Sequence, residues 1–156
     1  MAALMDLVAG DERSILLAIS VEDWAGLDDP TRFDAHLSLG GGLDPTWLDL
    51  FSQAVRGATG GDGPDDFLDA RRELGVPGEA GDRIVECVDH GWIDAIARLR
   101  DHEVEAVTGR WIDLIEDEIG PLPREEKPWI RQLAGDIVAF AREADRSQDV
   151  LFAWSL

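Results

Sequence analysis

The chain is short of several residue types at once. Of its 156 residues, one is lysine (Lys127), one is cysteine (Cys87) and none is tyrosine. A single cysteine excludes an intramolecular disulfide and points to a reducing compartment. Basic residues are also few, with fourteen Lys and Arg against thirty-three Asp and Glu, for a net charge of -19. A field of that sign repels nucleic acid and anionic membrane, because both need clustered Lys or Arg. Long apolar runs are missing too. The N-terminal stretch 2–9 contains Asp6, has no basic region before it and is too short to span a bilayer. These absences together predict a cytoplasmic protein with no membrane and no nucleic-acid partner.

The motifs of common chemistry are missing as well. The glycines at 40–42 and 60–63 lack the spacing of a phosphate-binding loop and have no lysine near them. Gly40 to Gly42 precede a helix start, but Asp44 is placed to occupy the backbone donors that an anion would need. Cys87 and His90 stand at a zinc-ligand spacing with no second pair to complete it. The acidic run Asp62, Asp65, Asp66, Asp69 and Glu73 has Phe67 where an EF-hand loop requires glycine. Neither G-x-S-x-G nor H-E-x-x-H occurs. The sequence therefore assigns no catalytic, cofactor-binding or metal-ligating residue.

What is present is acid, unevenly spread. Residues 1–78 hold fifteen acidic and five basic residues, 79–119 twelve and four, and 120–156 six and five. Charge of this kind can serve as a solvated coat that keeps a bacterial protein soluble, or as adaptation to concentrated salt. It can also be a working surface for a basic partner protein, and in that case the surface lies before Gly120.

The length fits one domain over residues 1–156, which should bury about two thirds of the surface its unfolded chain exposes. The fold class read from the pattern is α+β, mostly helical with a small sheet. Ser14 to Ser20 (14–20) is a short apolar run expected as a strand. Ser20 then resembles a helix cap, followed by Trp24 and Leu27. Asp28-Asp29-Pro30 predicts a helix through Phe33 and Leu37, and Asp44-Pro45 another through Trp47, Leu50, Phe51, Ala54 and Val55. A helix through Phe67, Leu68 and Leu74 and a short strand at Ile84 to Val88 come next. Asp89 caps a helix through Trp92, Ile93 and Ile96. The strongest helical period is Val104, Val107, Trp111, Leu114, Ile115 and Ile119, closed by Gly120-Pro121. A last helix runs from Pro128 through Ile130, Leu133, Ile137 and Phe140. Asp149 to Ser155 (149–155) is expected to be a strand paired with the N-terminal one.

Four residues are candidates for an interaction surface or a perturbed environment. Glu118 falls in the apolar stripe of the Trp111 helix, one turn beyond Leu114 and Ile115. Asp117 and Glu118 also lie in the last turn, where the helix dipole disfavours negative charge, so Arg124 or Arg131 is expected to compensate them. Asp113 lies on the outer, acidic side of the same helix. Trp129 sits at the edge of its own helix stripe beside Pro128, and is the best candidate for an exposed aromatic. The other helical tryptophans, Trp24, Trp47, Trp92 and Trp111, occupy core positions.

Four stretches carry a family resemblance: the opening run with Ser20-Val21-Glu22-Asp23-Trp24; the helix LDPTWLDLFSQAVRGATG; the segment Ile84 to Trp111; and the closing LAGDIVAFAREADRSQDVLFAWSL. Together they resemble the YfbM-like family of uncharacterised bacterial proteins, although family members tend to carry a histidine in the helix where this chain has Phe51. The resemblance implies an α+β fold and brings no activity and no catalytic residue. The functional expectation is a non-enzymatic protein–protein interaction module, immunity-type or regulatory, that masks a basic partner and uses no cofactor. The alternatives are a small hydrolase or transferase using Glu118 and the His90 region, or acidity that serves salt adaptation or solubility only.

Overall fold

The computed structural model describes residues 5–39, 43–61, 63–74 and 83–155. The expected α+β class holds. Among the described residues, five strands form one antiparallel sheet: β1 (Met5–Gly10), β2 (Ala35–Ser38), β3 (Arg71–Glu73), β4 (Arg83–Val88) and β5 (Asp149–Ser155), in the order β2-β1-β5-β4-β3. The C-terminal strand is where the sequence put it, and it does pair with the N-terminal one, Leu7 opposite Phe152 and Val8 opposite Leu151. The helices α1 (Glu12–Ser20), α2 (Trp24–Leu27), α3 (Thr46–Ala58), α4 (His90–Ala97), α5 (Asp101–Ile119) and α6 (Glu126–Ala144) cover the sheet.

The N-terminal strand itself lies earlier than expected. Residues 14–20 belong to helix α1, and the strand is Met5–Gly10. The physical reason is visible in the side chains. Ile15, Ala18 and Ile19 are buried at helical spacing, and Asp11 accepts the Ser14 backbone N–H at 3.0 Å as the cap. β1 is buried at all six positions, which is why it shows no polar alternation. Ser20 ends α1; Asp23 is the residue that caps α2, accepting the Gly26 N–H at 3.0 Å.

Two expected helices are absent among the described residues. Asp28 to Asp34 forms turns, tied by Asp29 accepting from the Thr31 N–H and hydroxyl, and the chain then enters β2. Phe67 to Ala70 is likewise a turn leading into β3. In both places the apolar residues were too few to distinguish a turn and short strand from one helical turn. The triglycine at 40–42 lies outside the described residues.

Each sheet face has its own core. The larger contains Met5, Leu7, Ala9, Val88, Val150 and Phe152 under α3 to α6; the smaller contains Val8, Val85, Leu151 and Ala153 under α1, α2 and Phe33. Trp92 and Trp111 are buried in the larger core. The Trp92 indole N–H donates to Ser52 Oγ at 2.8 Å, and Ser52 in turn donates to the Leu48 carbonyl at 3.0 Å. Trp111 donates to the Trp47 carbonyl at 2.7 Å and meets Phe51 edge-on.

A charged pair packs against the edge of this core. Arg71, its side chain 6% exposed, donates to Glu86 Oε1 at 3.0 Å across the β3–β4 ladder. The same oxygen accepts the Trp154 indole N–H at 2.6 Å. The guanidinium sits against the rings of Phe67 and Phe152, 4.9 and 5.4 Å from their centroids. Its Nε is buried with no hydrogen-bond partner among the described residues.

Candidate functional site

α5 positions most of the residues singled out by the sequence. Its inner face, Val107, Trp111, Ile112 and Ile115, is buried against the core, and Glu103 closes its first turn by accepting the Arg100 backbone N–H at 3.0 Å. The outer face is acidic and exposed. Asp101, Glu105, Asp113 and Asp117 fall four or eight residues apart, so they form one slowly turning stripe, with Glu118 beside its end. Asp101 approaches Arg142 at 3.4 Å in an exposed pair, whereas Glu105, Asp113, Asp117 and Glu118 make no ion pair among the described residues.

Glu118 is exposed and not inside the apolar stripe. The helical period does carry it to that side, but the last turn of α5 overhangs the core, and Ile119 beside it is 58% exposed. The compensating partner at this corner belongs to Glu116. It accepts the Leu122 backbone N–H at 3.0 Å and approaches Lys127 Nζ at 3.6 Å, so the expected bridge from Asp117 or Glu118 to Arg124 or Arg131 is not made. Trp129, in the first turn of α6, is 41% exposed. The α5–α6 corner therefore presents Ile119, Trp129 and the uncompensated carboxylates of Asp117 and Glu118. Alongside, a groove of about 490 Å³ between the two helices is lined by Val104, Glu105, Thr108, Gly109, Arg131 and Gly135.

The Cys87 and His90 pair is built differently from a reactive site. Cys87 lies on β4 and its thiol is pushed up by burial, which opposes thiolate formation. His90 begins α4, is exposed, and its Nε2 lies 2.7 Å from the Asp145 carbonyl. A cavity of about 340 Å³ at this end of the sheet is lined by Arg72, Cys87, Asp89, His90 and Asp149. No cluster of three His, Cys, Asp or Glu suited to a metal ion occurs among the described residues. Glu118 is not brought to this region. Asp101 at the start of α5 and Asp145 beside His90 meet the same end of α6, and Glu118 lies about 25 Å further along α5 at 1.5 Å per residue.

Nothing in the spacing of the sequence points to the tightest cluster of titratable groups, which is centred on His36. β2 places its ring on the smaller-core face, diagonal to Asp6 of β1. Nε2 lies 2.8 Å from Asp6 Oδ1, and Nδ1 lies 2.5 Å from Asp28 Oδ1 in the turn after α2. Burial acts to lower the pKa of His36, but the hydrogen bonds to Asp6 and then Asp28 outweigh it and hold the ring above the ordinary histidine value. The contact joins residues thirty positions apart, so only the strand register reveals it.

Fold and surface together define an α+β protein with an exposed acidic helix face, and no helix among the described residues is long and apolar enough to cross a membrane. No family model, curated protein or solved structure matches the chain.

Proposed function

We propose that the chain is a non-enzymatic acidic binding module that masks a basic protein, in the manner of an immunity-type or regulatory protein. The carrying observation is the outer face of α5, where Glu105, Asp113, Asp117 and Glu118 are exposed without ion-pair partners among the described residues. Carboxylates left uncompensated on a rigid helix attract a basic surface and speed its approach. Trp129 and Ile119 at the corner supply the apolar anchor that such an interface needs at its centre. The near-neutral segment 120–156 supplies β5 and α6, so the charged face lies on an element outside that segment. The resemblance to the YfbM-like family adds no activity to this reading.

The test compares the wild type with a variant carrying Glu105→Gln, Asp113→Asn, Asp117→Asn and Glu118→Gln as baits in low-salt extract of the source cells. The expected result is a basic protein retained by the wild type, released by salt, and lost from the variant. Equal retention by both baits would remove α5 as the docking face. Thermal melts across a salt series separate this from salt adaptation, which requires the midpoint to rise steeply from low to molar salt.

A further inference from the structure

A neutral imidazole carries one N–H, yet both ring nitrogens of His36 face a carboxylate oxygen, at 2.8 Å and 2.5 Å. An ionised carboxylate only accepts, so both bonds form together only when the ring is the imidazolium. The two arms differ in surroundings. Asp6 lies on β1 and is buried, whereas the Asp28 side chain is 73% exposed and belongs to the connection between α2 and β2. We propose that His36 is a proton-operated latch: charged, it fastens the α2 turn to the sheet through Asp28, and on losing its proton it releases that arm.

The surroundings favour this direction of working. Asp34 and Glu143 of α6 line the cavity of about 200 Å³ beside His36 and add negative charge to that of Asp6 and Asp28. Arg32, the cation of the same turn, is engaged by Asp23 at 2.8 Å and lies over the Phe33 ring. When the ring becomes neutral, a single N–H remains for two acceptors. The buried Asp6 is held by its strand, and Asp28 can return to water at little cost. The latch is thus closed on the acid side of the His36 titration and open on the alkaline side, provided both carboxylates are ionised.

The test uses the intact protein and two readouts. Ring-nitrogen NMR from about pH 5 to about pH 9 should show both His36 nitrogens protonated up to a midpoint above 6.5. Asp28→Asn, at an exposed position, should lower that midpoint without unfolding the chain. The Arg32 and Phe33 amides, both bonded to the Asp29 carbonyl, report the turn by hydrogen exchange. Relative to Asp28→Asn at each pH, their wild-type protection should be roughly two- to fivefold higher below the midpoint and equal above it. A midpoint at or below 6.5 overturns the latch. So does a raised midpoint with protection that matches Asp28→Asn throughout, because the arm would then fasten nothing.

Discussion

Removing Glu86 from beneath Arg71 should be among the most damaging single changes in the protein, and removing both should be milder than the two costs added. With Glu86→Leu the Arg71 guanidinium stays where it is, 6% exposed between Phe67 and Phe152, with its counter-charge gone and its Nε already without a partner. Breaking a buried pair from one side costs about 3–5 kcal/mol. For a chain of this size that corresponds to roughly 6–20 °C in Tm. Arg71→Met should cost less, because Glu86 keeps the Trp154 indole N–H and is the more exposed partner. In Arg71→Met/Glu86→Leu the methionine fills the space between the two rings, and the unmatched charge disappears. The remaining penalty is the Trp154 N–H, about 1–3 kcal/mol if it stays dry. The assay is urea unfolding of the four proteins in a double-mutant cycle. Coupling of roughly 1–3 kcal/mol is expected. Additive costs, within about 0.5 kcal/mol, would mean the pair is solvated in practice and the reasoning wrong.

Deleting residues 149–156 removes the strand that both β1 and β4 pair with, so the truncated chain should show no cooperative melt by circular dichroism. Ser52→Ala leaves the Trp92 indole N–H buried without its acceptor and should lower stability by about 1–3 kcal/mol in chemical denaturation. The raised pKa of His36 contributes stability that is complete below the unfolded value near 6.5 and lost as pH rises through the folded one. A plot of wild-type minus His36→Asn stability against pH should therefore fall on the alkaline side, and a flat plot would count against it. Burial pushes Asp49 up, so its charge opposes folding at neutral pH. Asp49→Asn keeps an acceptor for the Leu68 N–H, and its Tm at neutral pH should equal or exceed that of the wild type.

The parts of this fold that could be read from sequence are those with many repeats of one period. α5 and α6, nineteen residues each, give several turns of evidence, and β5 ends the chain as an apolar run flanked by polar residues. The segment before Gly10 and the segment after it are both short and apolar, and only the Asp11 cap separates strand from helix there. β2 and β3 are four and three residues long, below the length at which alternation can be told from a turn. The exposure of Trp129 followed from its place at the edge of a stripe. Glu118 misled because a helical wheel shows direction but not where the neighbouring core ends. The His36 cluster depends on pairing Val8 with His36, a register that no local pattern contains.

The strand order also bears on how the molecule assembles. β5 is the last of the five strands along the chain, yet it occupies the middle of the sheet. β1 and β2 both lie within residues 5–38, and β3 and β4 within 71–88, so each pair can meet over a modest sequence separation, but neither half can meet the other until β5 arrives. Its pairing with β1 joins Met5 to Trp154, nearly the full length of the described chain. Closing so long a loop is entropically expensive and slows folding. Until it closes, β1 and β4 each present an unpaired, apolar edge, and for that interval the chain is most open to joining the wrong neighbour.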